Sequence, residues 1–113
     1  MHELSLMLAV RQQALDALCQ QGGQVIRRIH LRVGALAGAD PAALQWAHGH
    51  VMAGTAAAHA RLVIEAVAVQ WWCNTCRAPF ADQADGCICP RCSGCSAQLR
   101  RGRELQLVAL EIE

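Results

Sequence analysis

The sequence predicts an α+β fold in which two helices pack on a three-stranded sheet and a small cysteine-rich lobe is inserted before the last strand. Three observations support this prediction. The 113 residues, 54% of them hydrophobic, suffice for one modest core. Segments with helical and strand periodicity follow in the order helix, strand, helix, strand and, at the end, strand. Before that last strand, residues 72–98 show no helical pattern and hold six of the seven cysteines.

The first helix is predicted over residues 4–20. Leucines recur on one helical face there, at Leu4, Leu8, Leu15 and Leu18. The two glycines that follow end the helix, because glycine accepts the left-handed conformation common at helix C-termini. We also expect Cys19, on or near the apolar side of this helix, to be a core residue.

The next two elements are a half-buried strand and a second helix. Apolar and polar residues alternate in IHLRV, which predicts a strand over residues 25–33. After a loop, Asp40 is placed to cap a helix and Pro41 suits its first turn. The apolar face of this helix is expected at Leu44, Ala47 and Val51.

Two further strands are predicted over residues 61–70, rich in β-branched side chains, and over 104–113. Trp71 and Trp72 close the first of these, so we expect one ring on the helix–sheet core and the other against the lobe. The chain should therefore form two domains. One comprises residues 1–71 with 99–113, and the other is the inserted segment 72–98.

Composition excludes several classes of function. A net charge of +1 gives no electrostatic reason to bind nucleic acid or an anionic membrane. No apolar run approaches the ~20 residues of a membrane span, and no secretory signal is visible at the N-terminus. Seven cysteines cannot all pair internally, so reduced thiols, metal binding and a cytoplasmic location are expected.

Two C-x-x-C pairs in the segment CNTCRAPFADQADGCICPRC predict a structural zinc site. A tight turn with two residues between cysteines directs both sulfurs at one point, and two such turns complete a tetrahedron. The expected ligands are Cys73, Cys76, Cys89 and Cys92. Four protein ligands close the coordination sphere, which makes the site structural and the lobe zinc-ribbon-like.

Two alternatives stay open at this centre. Cys87 and Cys95 lie nearby, and Cys92 with Cys95 forms a competing C-x-x-C pair. We prefer Cys89 with Cys92 because the intervening proline favours a preset turn. Iron uses similar cysteine turns, and spacing alone does not exclude it.

The chain opens with MHELSL, which offers a second kind of metal site. The free amine of Met1, the backbone nitrogen and imidazole of His2, and the backbone nitrogen of Glu3 can form a planar set of donors. Nickel(II) and copper(II) favour such a plane, and zinc does not. By itself, however, a terminal Met-His is a weak signal, and Glu3 also suits a helix N-terminus by charge.

The opening MHELSL, the segment LRVGAL and the two cysteine pairs together resemble the HypA/HybF family over essentially the whole chain. The resemblance implies a nickel metallochaperone for [NiFe] hydrogenase maturation, working with the GTPase HypB and the hydrogenase large subunit. It implies nickel at Met1, His2 and Glu3, and structural zinc at the four cysteines named above. The chain departs from the family in Arg77, where many relatives carry glycine, and in its additional thiols.

The same residues are compatible with another class of function. The alternative is a zinc-ribbon module that recognises protein or nucleic acid. An enzyme is not expected, since there is no open metal position, nucleophile–base pair or phosphate-binding glycine loop. His48 and His50 diverge by roughly 200° on a helix and are expected to be ordinary helix residues. The oligomeric state is expected to be monomer or homodimer.

Overall fold

The computed structural model describes residues 2–82, 86–95 and 97–113, and for His2 only the backbone. Its helices are α1, His2–Gln20, and α2, Pro41–Val51. Its strands are β1, Ile26–Gly34; β2, Arg61–Val67; β3, Gln70–Cys73; β4, Ala78–Ala81; β5, Ala97–Arg101; and β6, Leu105–Ile112. Among the described residues, no helix combines the length and the apolar character that crossing a membrane requires.

The strands form two sheets of three, in the orders β2-β1-β6 and β4-β3-β5. The first sheet with its two helices confirms the predicted α+β class, and the second lies in the cysteine-rich insertion before the last strand. One prediction about the strands is wrong. The strand expected over residues 61–70 ends at Val67, and the next strand begins at Gln70 and carries both tryptophans into the second sheet.

The chain divides into two compact units. We call the first the helical unit; it comprises Met1–Arg32, Gly38–Glu65 and Gln106–Glu113. We call the second the cysteine unit; it comprises Val33–Ala37 and Ala66–Leu105. The cysteine unit contains the whole segment 72–98 that the sequence marks as the zinc-binding domain. A functional division into nickel-binding and zinc-binding domains remains a prediction.

The helical unit holds most of the buried apolar side chains. In β1, Ile29, Leu31 and Val33 are buried, as the alternation predicts, although Val33 already belongs to the cysteine unit. The apolar face of α2 is buried as expected, at Leu44, Ala47 and Val51. Cys19 is exposed, so its prediction as a core residue is wrong; the buried position is the preceding one, Leu18.

Helix α2 begins at Pro41, directly after the predicted cap residue Asp40. The Asp40 carboxylate accepts a hydrogen bond from the amide of Ala42 at 3.3 Å, and Pro41 occupies the first turn. This cap satisfies one of the amides that a helix start leaves without an intrahelical acceptor.

Gly34 allows two backbone segments of the cysteine unit to approach closely. The Gly34 amide donates to the Glu104 carbonyl at 2.7 Å, and the Leu36 amide donates to the Gly102 carbonyl at 2.6 Å. A Cβ on Gly34 would overlap the carbonyl group of Gly102 and lie 2.6 Å from the amide nitrogen of Arg103. Gly34, the glycine of LRVGAL, is therefore required because no side chain fits at this position, and not because of its own φ angle.

Candidate metal centres

The sheet of the cysteine unit positions the first cysteine pair. Strand β3 runs antiparallel to both neighbours, and its last residue, Cys73, lies opposite Ala78 on one side and Ala97 on the other. The chain then reverses in a tight turn, closed by a hydrogen bond from the Arg77 amide to the Cys73 carbonyl at 2.8 Å. This turn carries Cys76 back toward Cys73.

The second cysteine pair lies on a turn of the same design. The Ser93 amide donates to the Cys89 carbonyl at 2.9 Å, as the Arg77 amide does to Cys73. Arg77 and Ser93 are the described non-glycine residues with positive φ, at 54° and 57°. A glycine adopts this left-handed conformation more easily than other residues. The left-handed backbone at Arg77 is therefore one that glycine would adopt with less strain.

Together the two turns bring four thiols to one place. The Sγ atoms of Cys73, Cys76, Cys89 and Cys92 all lie within 4.8 Å of one another. The sulfurs of Cys73 and Cys92 are 3.6 Å apart, and those of Cys76 and Cys89 are 3.9 Å apart. A tetrahedral ion with metal–sulfur bonds of about 2.3 Å places its sulfurs about 3.8 Å apart. The cluster therefore has the composition and the approximate size of a structural zinc site.

Backbone amides point at three of these sulfurs. The amides of Cys76, Arg91 and Gly94 donate to the Sγ atoms of Cys73, Cys89 and Cys92, each at 3.4 Å. Such donors stabilise thiolates and orient them toward a cation. Cys73 and Cys89 are buried, with 1% and 3% of their surfaces exposed. The site is thus protected from solvent on its inner side.

The thiols influence one another's protonation. The hydrogen bond with the Cys92 thiol, together with burial, raises the pKa of Cys76 to about 12. The backbone amides of Cys92 and Arg91 lower the pKa of Cys89 to about 7. Without a cation, four thiolates so close together would repel one another. A bound cation must therefore displace protons from the cluster.

Cys87 and Cys95 were the open alternatives for this centre. Both lie in the described segment 86–95, and the group of sulfurs that the structure gathers includes neither. The ligand set nevertheless stays a prediction, which the proposal below takes up.

The other predicted centre, at Met1, His2 and Glu3, lies largely outside the described residues, which omit Met1 and the side chain of His2. Helix α1 begins at His2. One oxygen of the Glu3 carboxylate accepts a hydrogen bond from the Asp40 amide at 3.0 Å. This contact fixes the start of α1 against the start of α2, and no pattern in the sequence predicted it.

The helix histidines differ in their surroundings. His48 is buried, with 7% of its surface exposed, and its Nε2 has no hydrogen-bond partner among the described residues. Burial lowers the pKa of His48. His50 is exposed and lies 4.3 Å from the Trp46 ring between centroids. The burial of His48 was not predicted, although its position four residues after Leu44 places both on one helical face and could have indicated it.

Comparison with known proteins gives consistent matches. The family model described as "Hydrogenase/urease nickel incorporation, metallochaperone, hypA" matches residues 1–112. The chain is 42% identical to the hydrogenase maturation factor HypA of Synechococcus elongatus over 115 residues, covering 99% of each. It is 41% identical to HypA of Chloroflexus aurantiacus over 112 residues, covering 98% of each.

Solved structures show the same fold. The solution structure of the Ni metallochaperone HypA from Helicobacter pylori matches with a TM-score of 0.70 at 20% identity, covering 97% of this chain and 96% of that one. A second solution structure of a HypA protein matches with a TM-score of 0.78 at 22% identity, covering 100% and 97%.

Proposed function

Since the chain belongs to the HypA family of nickel-incorporating metallochaperones, we propose that it binds Ni²⁺ at its N-terminus and delivers the ion to the large subunit of a [NiFe] hydrogenase. The observation that carries the proposal is the family match, which starts at residue 1 and so includes the terminal Met-His-Glu. The proposed donors are the amine of Met1, the backbone nitrogen and imidazole of His2, and the backbone nitrogen of Glu3. These nitrogens form the planar set that nickel(II) favours.

The start of α1 supports a role for backbone donors. The first four amides of an α-helix have no intrahelical acceptor, and α1 begins at His2. Metal binding to the amides of His2 and Glu3 therefore does not break the helical ladder. The Glu3 carboxylate contacts the Asp40 amide, so we assign its side chain to positioning and its backbone nitrogen to the metal.

We propose that a second, non-exchanging ion is zinc, held by Cys73, Cys76, Cys89 and Cys92. The sulfur separations and the amide donors described above support this assignment. With four protein ligands the ion offers no position to a substrate. Its contribution is to hold the cysteine unit together, while nickel is the transferred cargo.

Delivery requires partners and a compartment. We propose that the GTPase HypB supplies nucleotide hydrolysis, so that this chain itself binds and transfers without catalysing a reaction. Cluster thiols must stay reduced to hold a metal, which favours the cytoplasm.

Nickel titration of the untagged, zinc-loaded protein tests the proposal. His2→Ala should abolish tight nickel binding, because both the imidazole and its chelate ring are lost. His59→Ala is the matched control, since it removes an exposed histidine elsewhere in the chain. Residues left before Met1 by an affinity tag should weaken binding as well, because they block the amine. Equal nickel affinity in wild type and His2→Ala would refute the nickel site.

A further inference from the structure

The sheet of the cysteine unit has two unlike faces. Trp72 lies opposite Pro79 on β4 and Gln98 on β5, so these three side chains share one face. Pro79 and Gln98 are exposed. The adjacent register pairs Trp71 with Phe80 and with Leu99, and all three of these are only partly exposed. The face that carries Trp72 is therefore the more open one.

Arg100 lies on this open face, over the indole ring of Trp72. Its guanidinium carbon is 4.2 Å from the ring centroid, a distance at which a cation is attracted to the face of an indole. The register slips at this point, because Trp71 pairs with Leu99 while Gln70 pairs with Arg101. Arg100 is thus the extra residue of a β-bulge, and bulges commonly redirect a side chain.

The charge of Arg100 is not neutralised by a described residue. On the first sheet, Arg27 and Arg32 form ion pairs with Glu113 and Glu65 at 2.9 and 3.0 Å. Within residues 2–82, 86–95 and 97–113, no carboxylate lies within ion-pair distance of Arg100. The Arg100 side chain is already held in place by the indole of Trp72, so less conformational entropy would be lost when a binding partner orders it. The edge of the planar guanidinium then remains available for a carboxylate.

We propose that the Trp72–Arg100 face of the cysteine unit docks an acidic segment of a partner protein. A glutamate or aspartate carboxylate would pair with Arg100, and the aliphatic part of the segment would lie along Trp72 and Pro79. Charge complementarity selects this occupant, because exposed arginines without a described ion-pair partner also follow at Arg101 and Arg103. None of the residues of this surface is a proposed metal ligand.

The test is calorimetric titration of zinc-loaded full-length protein with a short glutamate-rich peptide. We expect binding that weakens with added salt and no binding of the matching glutamine-rich peptide. Arg100→Gln should weaken binding by about fivefold or more, as loss of a charge-assisted pair implies. Arg100→Lys should recover only part of it, because lysine does not reproduce the planar guanidinium.

The matched control is Arg61→Gln, which makes the same change at an exposed arginine of the helical unit. It should keep the affinity within about twofold. Unchanged zinc content would show that Arg100→Gln still folds. Absence of binding by wild type at low salt, or equal losses in the two glutamine variants, would overturn the proposal. Nickel binding should be unaltered in every variant, so failure here leaves the proposed nickel site untouched.

Discussion

Replacement of Gly34 by alanine should destabilise the protein strongly. The added Cβ would overlap the Gly102 carbonyl and lie 2.6 Å from the Arg103 amide nitrogen. All of these obstacles are backbone atoms, so no side-chain rotation relieves the overlap. The two segments must move apart, which strains or breaks the hydrogen bonds of 2.6 and 2.7 Å made by Leu36 and Gly34.

The expected loss follows from these two effects. Overpacking costs roughly 1–3 kcal/mol, and each weakened hydrogen bond adds about 1 kcal/mol. We expect the free energy of unfolding to fall by about 3 kcal/mol, which corresponds to a decrease in Tm of roughly 12 °C for a chain of this size. Thermal and urea unfolding of zinc-loaded protein, followed by far-UV circular dichroism, measures both quantities.

Gly49→Ala provides the matched control. Gly49 lies within α2, and a Cβ there would meet nothing within 4 Å. Alanine should therefore stabilise this helix by about 0.5–1 kcal/mol. If Gly34→Ala proved as stable as wild type while Gly49→Ala behaved as expected, the close approach at Gly34 would be wrong.

Two further predictions concern the cysteine cluster and His48. Removal of zinc by a chelator should unfold the cysteine unit and change the fluorescence of Trp71 and Trp72. The change should reverse when zinc is restored. An unchanged fluorescence spectrum in metal-free protein would contradict this prediction. Burial lowers the pKa of His48 in the folded protein. The unfolded chain therefore takes up a proton at this histidine more readily than the folded protein does. The stability that neutral His48 contributes is present above about pH 6.5 and is lost as the pH falls below that value. The free energy of unfolding of His48→Leu, measured with urea, should therefore rise relative to that of wild type as the pH is lowered from 7.5 to 5.5. A difference in free energy between the two proteins that does not vary with pH would refute the argument.

Local sequence signals predicted the elements whose causes are local. Asp40 and Pro41 specify the start of α2 through a cap and a fixed φ, and the structure confirms both. Alternation in β1 predicted the burial of Ile29, Leu31 and Val33, whereas the buried Ile26 lies outside that alternation. The structure brings the sulfurs of the two C-x-x-C pairs together, because each pair is organised by its own turn; the identity of the metal ligands stays a prediction.

Features that depend on distant partners were not predictable in the same way. Strands β3, β4 and β5 have four, four and five residues, too short for a clear hydrophobic period, and only their mutual pairing makes them strands. The bond between Glu3 and Asp40 joins residues far apart in sequence. The left-handed backbone of Arg77 was not predictable either, because arginine itself does not favour a positive φ.

The distribution of buried side chains has a consequence for oxidative stress. Among the described residues, the buried apolar side chains of the cysteine unit are those of Val33, Cys73 and Cys89, so sulfur largely replaces hydrocarbon in its interior. Peroxide or a disulfide-forming reagent that oxidises these thiols would then unfold the cysteine unit. The helical unit should outlast the cysteine unit under such attack, because its core is mostly hydrocarbon and its buried sulfur atoms include the thioethers of Met7 and Met52, which hold no metal and form no disulfide.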